Sequence, residues 1–278
     1  MLNRLKNIGL MTLAVSALTI GGLTAANAAG ASAYPLKKYD WPHAGPFGMF
    51  DKPSLQRGLQ VYKEVCASCH SLDMVAFREL KALGYNVDEI KAFAAEYEFP
   101  NGFDDEGEEK YRKGFPQDYF PAPYLSEEEA REANNGAFPP DFSLLGKSRE
   151  HLSLFTPWNS IYGEDYIVGI LNTYHEDAPE GVELADGMSY NEAFPGNQIA
   201  MAPPLFDELV EYADGTPATT EQMAKDVATF MYWAAEPKME VRKKMGLKVI
   251  IFMSILTILL YFVNKRVWRK IKKGDDLA

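Results

Sequence analysis

Leu55, Leu59, Tyr62 and Cys66 recur three or four residues apart, the spacing of one buried face of an α-helix. Asp51 ahead of them is placed to cap that helix, and Pro53 suits its first turn. Gly58 falls inside the same element, where the missing side chain lets another helix come close. A second helix is expected after His70, to about Leu80, and a third from Asn86 or Asp88 through Ala95. Ser126 with Glu129 reads as a capping box before a short helix ending near Asn134. Tyr166, Ile167, Ile170 and Leu171 place a helix between Tyr162 and Tyr174. Thr219 with Gln222 forms a second capping box, and Met223, Val227, Phe230 and Trp233 line one face of the helix that follows. Pro237 disfavours helix in the residue before it, so this element should stop near Glu236.

Between these elements the pattern is irregular. Pro35, Pro42, Pro46, Gly45 and Gly48 mark residues 29–50 as an extended lead-in over the domain surface, and Pro116, Pro121, Pro123, Pro139 and Pro140 punctuate the middle. Asn134 to Asp141 is a turn-rich loop, and Ala178 to Gly196 shows little periodicity. Asp104, Asp105, Glu106, Glu108 and Glu109, broken by Gly107, read as an acidic loop. Such a run is either a solvated surface or a docking site for a cationic partner, acting more on association rate than on affinity.

Two apolar stretches stand apart. Ile8 to Leu23 follows Arg4 and Lys6 and precedes Ala26-Asn27-Ala28, the layout of a secretory signal cut after Ala28, with an uncleaved anchor as the alternative. Leu247 to Val263 is about 17 residues with one charge, Lys248, just long enough to span a bilayer. Tyr261 and Trp268 suit an interfacial belt, whereas a buried soluble helix seldom has basic clusters at both ends. Arg242, Lys243, Lys244 and Lys248 flank one end of the span, and Lys265, Arg266, Arg269, Lys270, Lys272 and Lys273 the other. An exported domain before the span puts the heavier basic tail inside. The expected organisation is a signal over 1–28, an exported domain over 29–237, an anchor helix over 238–265 and a basic cytoplasmic tail over 266–278. The expected fold class is mainly α, with long loop insertions and one C-terminal transmembrane helix.

The chain has 278 residues, 47% of them hydrophobic, and a formal net charge of −11. That leaves ample material for a core. It disfavours nucleic-acid binding, which needs clustered cations, and suits a basic protein partner.

Cys66-Ala67-Ser68-Cys69-His70 carries the chemistry. C-x-x-C-H is the attachment string of c-type haem: two thiols add across the porphyrin vinyl groups, and the histidine that follows is held beneath the iron. A zinc site needs a second ligand pair, and the chain has only 2 Cys. A thioredoxin-like pair wants a βαβ context and no histidine. An electron carrier needs a sixth ligand, and methionine opposite histidine raises the potential and closes the iron. Among 11 Met, Met201 sits in a stiff loop, Ile199-Ala200-Met201-Ala202-Pro203-Pro204-Leu205, and is the best candidate, with Met188 as runner-up. Met223 and Met231 fit packing on an amphipathic helix. A bis-histidine site through His43, His151 or His175 remains open.

With these residues assembled, the chain from about Trp41 to Lys265 resembles the cytochrome c1 family, the c-haem subunits of ubiquinol–cytochrome c oxidoreductases (bc1 complexes). The resemblance rests on 57-RGLQVYKEV-65 before the haem string, 133-ANNGAFPPD-141, 201-MAPPL-205, 214-DGTPAT-219, and 233-WAAEP-237 running into 242-RKKMGL-247. It implies covalent haem on Cys66 and Cys69, with His70 and Met201 as the axial, metal-binding ligands. It places Arg149 near a haem propionate, Tyr166 in the same pocket, and Asn135 and Pro140 on the loop against the His70 side. A Pro140 carbonyl accepting the His70 Nδ1–H would set the tautomer. It further implies a non-catalytic, one-electron subunit of a dimeric complex, with cytochrome b and the Rieske iron–sulfur protein as partners. Cytochrome c would dock at the acidic loop, and the haem domain would face the periplasm from a bacterial plasma membrane. The stretch from His151 to Ile161 looks longer than in mitochondrial relatives, and the extra cysteine pair of some bacterial relatives is missing. A free-standing anchored cytochrome c shuttle is the alternative; a haem peroxidase would need an open sixth site and usually a second haem string.

Overall fold

The computed structural model describes residues 35–151 and 160–273. The expected signal segment, residues 274–278 of the tail and residues 152–159 lie outside the described residues. The fold is mainly helical. Helix α1, Lys52–Glu64, starts where the Asp51 carboxylate accepts the Ser54 N–H, and it buries Leu55, Leu59, Val61 and Tyr62. Helix α2, Val87–Ala94, is capped from both sides: Asn86 accepts from Asp88 and Glu89, and the Glu89 carboxylate accepts the Asn86 N–H at 2.7 Å. Helices α3, Glu127–Ala133, and α4, Leu145–Ser148, are short. Helix α5 is Gly163–Asn172, α6 is Thr220–Ala235 and α7 is Met239–Lys273.

Helix α6 is the centre of the core, with α1, α4 and α5 packed on it. Its Met223, Val227, Phe230, Met231 and Trp233 are buried. The α1–α6 crossing is close because of Gly58: a Cβ there would lie 2.1 Å from the Asp226 carbonyl oxygen and 2.7 Å from Phe230 Cβ. Gly146 of α4 meets α6 in the same way, with a Cβ falling 2.7 Å from Tyr232 Cα. Thr219 caps α6 by accepting the Gln222 N–H at 3.2 Å, but the Gln222 amide does not close the expected box. It donates instead to Asp226, whose buried carboxylate also takes Arg57 Nε at 2.8 Å and Ser54 Oγ at 2.6 Å. A buried carboxylate needs donors more than an exposed helix end does. Helix α6 ends at Glu236, where Pro237 requires.

Three expectations change. The helix expected directly after His70 is an irregular stretch followed by a 3-10 helix, Phe77–Leu83. The backbone there is claimed by residues 116–120, with Phe77 N–H on Asp118 O at 3.0 Å and Phe120 N–H on Val75 O at 3.1 Å. The acidic run is the turn of a hairpin, strands β1, Glu98–Phe103, and β2, Glu109–Lys113. Pro100 and Gly102 conceal β1 in the sequence pattern. The featureless middle holds a small antiparallel sheet, β3 (Tyr174–His175), β4 (Ser189–Asn191) and β5 (Gln198–Ile199), too short for periodicity to register. His151 and Ile161 pair by two backbone hydrogen bonds, closing the base of the stretch between them.

Within Met239–Arg269 helix α7 has an 18-residue window of mean hydropathy 2.3, and the helix is long and apolar enough to cross a membrane. From Val249 to Val263 its large apolar side chains are exposed, which water would not tolerate over such a length. It runs past the expected end at 265 to Lys273. Part of the basic cluster at its first end serves the domain rather than an interface. Lys243 Nζ donates to His43 O at 2.6 Å, Arg242 pairs with Glu236, and Glu240 accepts the Phe50 N–H at 3.0 Å. The lead-in is thereby tied to the start of α7.

Candidate haem site

Helix α1 stops at Glu64, and Cys66–Ser68 turns through a single 3-10 loop. The N–H groups of Cys69 and His70 both donate to Cys66 O, at 3.1 and 2.9 Å. This compact turn sets both thiols and the imidazole on one short stretch. Burial pushes the Cys66 thiol up to about 12, so it stays protonated at neutral pH. Among the described residues no group of three or more His, Cys, Asp or Glu is placed to hold a metal ion.

The His70 imidazole is contacted at two points by one loop, through Pro140 and Phe142. Its Nδ1 lies 2.8 Å from Pro140 O, a carbonyl that can only accept, so Nδ1 carries the proton and Nε2 keeps its lone pair. The ring stacks on Phe142, with centroids 4.3 Å apart. Burial pushes the His70 pKa down, against the opposing pull of Pro140 and Asp141, which favours the neutral ring a metal requires. Behind it the Tyr62 hydroxyl donates to His70 O at 3.1 Å, and the Tyr62 ring meets Phe142 and Phe230 at 6.0 and 5.7 Å. The turn is thus seated on the core.

The Pro140 loop is itself braced. Arg131 donates to Gly136 O at 2.9 Å, and Asn134 donates to Ala130 O and Tyr124. Asn135 has a left-handed backbone, φ 52, which asparagine tolerates better than most residues. Its amide lies 3.2 Å from where a Gly187 Cβ would stand, so it packs against the turn carrying Met188. Met188 is exposed, whereas Met201 is half-buried and its carbonyl accepts the Tyr174 hydroxyl at 3.0 Å. Arg149, at the end of α4, sits over the Tyr166 ring of α5 at 5.6 Å. The structure therefore brings Arg149 to Tyr166 and His70 to Pro140.

The three histidines weighed for a bis-histidine site are placed differently. His43 is buried, hydrogen-bonded through Nε2 to Glu164 and stacked on Phe50 at 4.7 Å. His175 pairs with Glu192 at 3.1 Å on β3, and His151 is exposed at its bridge to Ile161. Phe142, Asp141 and Tyr62 were missed as contributors. Phe142 and Asp141 directly follow Pro140, and Tyr62 lies on the α1 face that points to the haem string, which is the signal that could have found them.

The thiol pair and the neutral imidazole with Nε2 unprotonated, on one short turn, are donors that fit a covalently attached haem. A model of the Cytochrome C1 family matches residues 41–271. The chain is 43% identical over 270 residues to cytochrome c1 of Rhodospirillum rubrum, covering 92% of this chain and 94% of that protein. It is 49% identical over 234 residues to the mitochondrial cytochrome c1 haem protein of Saccharomyces cerevisiae, covering 84% of this chain and 72% of the relative. It is also 45% identical over 274 residues to cytochrome b/c1 of Bradyrhizobium diazoefficiens, covering 94% of this chain but spanning only 39% of that longer protein.

Proposed function

We propose that this chain, which belongs to the cytochrome c1 family, is the anchored one-electron carrier subunit of a bc1 complex, associated with cytochrome b. Members of the family carry one covalently bound c-type haem, and Cys66 and Cys69 are present here. The observation that carries the reading is the C-x-x-C-H turn with His70 Nδ1 held by Pro140 O, which leaves Nε2 to ligate. When bound, the haem supplies a one-electron couple between the Rieske iron–sulfur protein and cytochrome c. His70 and Met201 would ligate its iron, and Cys66 and Cys69 would hold it covalently. Pro140 makes the imidazole a stronger donor by accepting its other proton. Pro203 and Pro204 stiffen the Met201 loop, and Tyr174 fixes its backbone, so the thioether would be held in place to close the iron to small ligands. Arg149, with Tyr166 beneath it, supplies the cation for a porphyrin carboxylate. Asn135 keeps the Pro140 loop in register. The haem domain would lie on the periplasmic side, with α7 as a single-pass anchor and the complex a dimer.

The test is rapid mixing of native membranes with a ubiquinol analogue while the c-haem is observed. Fast reduction abolished by an inhibitor of quinol oxidation supports the reading. Reduction that is absent, or indifferent to the inhibitor, overturns it in favour of a free-standing shuttle.

The acidic turn is the proposed docking site for cytochrome c, and its carboxylates divide by role. Asp104 Oδ1 accepts the N–H groups of Glu106 and Glu108, both at 2.9 Å, so it builds the turn. Glu109 accepts the Tyr111 hydroxyl at 2.7 Å. Asp105, Glu106 and Glu108 remain exposed in the turn. Neutralising Asp105, Glu106 and Glu108 together is expected to slow cytochrome c reduction about tenfold at low salt and to flatten its ionic-strength dependence. Stopped-flow rates across a salt series check this, and an unchanged slope returns the turn to a solvated surface.

A further inference from the structure

We propose that Asp141 is a positioning residue for His70: its carboxylate fastens the loop 140–143, which carries both contacts of the imidazole, to the loop 71–74 that follows the haem string. Pro140 holds the Nδ1 proton from one side of Asp141, and Phe142 stacks on the ring from the other. Neither contact is stronger than the position of the loop that bears it. Asp141 Oδ2 accepts from Ser71 Oγ at 2.8 Å and from the Asp73 N–H at 2.9 Å, across 70 and 68 residues of sequence. Its Oδ1 accepts the Ser143 N–H at 2.7 Å, bending its own loop into the required shape. The splice continues on either side: Phe142 N–H donates to Ser71 O at 2.9 Å, and Met74 N–H donates to Ser143 Oγ at 3.0 Å.

No other side chain bonds both segments at more than one point among the hydrogen bonds described. A carboxylate accepting an O–H and two N–H donors is charge-assisted at each, so it grips more tightly than a neutral side chain would. Groups that orient a metal-binding histidine typically change ligand strength tenfold or more when removed. The hydrogen bonds of Asp141 act on the imidazole through Pro140 and Phe142, while its charge reaches the ring through space and is removed in the Ala and Asn variants alike.

The test compares Asp141→Ala, Asp141→Asn and Ser71→Ala in the full haem-loaded chain within native membranes. Asn removes the charge and one acceptor: its Oδ1 can still accept from Ser143 and its Nδ2 can donate to Ser71 Oγ, but the Asp73 N–H then faces a donor and loses its partner. Amide hydrogen exchange is followed by mass spectrometry over 71–74 and 140–143, with the β1–β2 hairpin as internal reference. Asp141→Ala should accelerate exchange in both segments at least tenfold and leave the hairpin unchanged, while Asp141→Asn should accelerate it less than Asp141→Ala does, with its largest effect at the Asp73 amide. Redox titration should show the Ala potential above that of Asn, because a loosened Nδ1–H···O bond weakens the imidazole as a donor to ferric iron. Where Asp141→Ala does not accumulate, Ser71→Ala should still loosen both segments by about threefold. Exchange within twofold of wild type in Ser71→Ala or Asp141→Ala, or acceleration that includes the hairpin, overturns the proposal. The redox arm rests on His70 being an axial ligand: a wild-type titration without a low-spin haem couple would sink that assignment, whereas the exchange pattern tests the splice alone.

Discussion

Replacing Met201 with leucine is expected to lower the haem midpoint potential by on the order of 0.2 V and to open the iron to carbon monoxide and cyanide. Leucine keeps the volume and the apolar character of the side chain but has no lone pair. The loop around position 201 should therefore keep its path, braced by Pro203, Pro204 and the Tyr174 bond to the backbone carbonyl. Only the soft donor that favours ferrous iron is lost. Redox titration of membranes, with carbon monoxide difference spectra on the same sample, separates the outcomes. A lower potential with ligand binding assigns the sixth position to Met201. An unchanged potential and a closed iron move the assignment to Met188, whose turn packs against Asn135 on the other loop of the site.

Gly58→Ala should destabilise the domain by about 2–3 kcal/mol, even though alanine favours helix by about 1 kcal/mol. The added carbon would stand 2.1 Å from the Asp226 carbonyl oxygen, which belongs to the helix backbone and cannot rotate aside. The α1–α6 crossing must open, and two things at that crossing depend on its closeness: the Arg57 and Ser54 bonds to Asp226, and the seat of Tyr62 beneath His70. For a domain near 200 residues this corresponds to a fall in Tm of about 5–10 °C. Thermal unfolding followed by circular dichroism measures it. Gly246→Ala, also inside a helix but with nothing within 4 Å of the added carbon, is the control and should not lower Tm. Equal shifts in the two variants would mean that close helix contact is not what Gly58 serves.

These two residues differ in how far the chain alone revealed them. Gly58 could be assigned to a helix crossing from its place in an apolar stripe, though not the partner it meets. Met201 could be favoured over the other methionines from its prolines, but its brace, Tyr174, lies 27 residues away and carries no local mark. The caps at Asp51, Ser126 and Thr219 were legible because a cap is made within three residues of itself. The box at Thr219 closed only halfway, because a buried carboxylate elsewhere had the stronger claim on Gln222.

The residues from Cys66 to His70, the apolar stripes of α1 and α6, the stop at Pro237 and the length of the final apolar run are properties of neighbours along the chain. They established a haem-attachment turn on a helical domain with one long apolar helix, whatever the rest of the structure did. The surroundings of His70 are another matter. The Pro140 carbonyl, the Phe142 ring, the Tyr62 hydroxyl and the Asp141 splice reach the imidazole and its loop through space. The acidic hairpin, the His43–Glu164 pair and the hold of Lys243 on the lead-in are contacts of the same kind elsewhere in the domain. Hydrogen bonds and ring stacking act over a few ångströms and take no account of separation along the chain, so only folding could choose those partners.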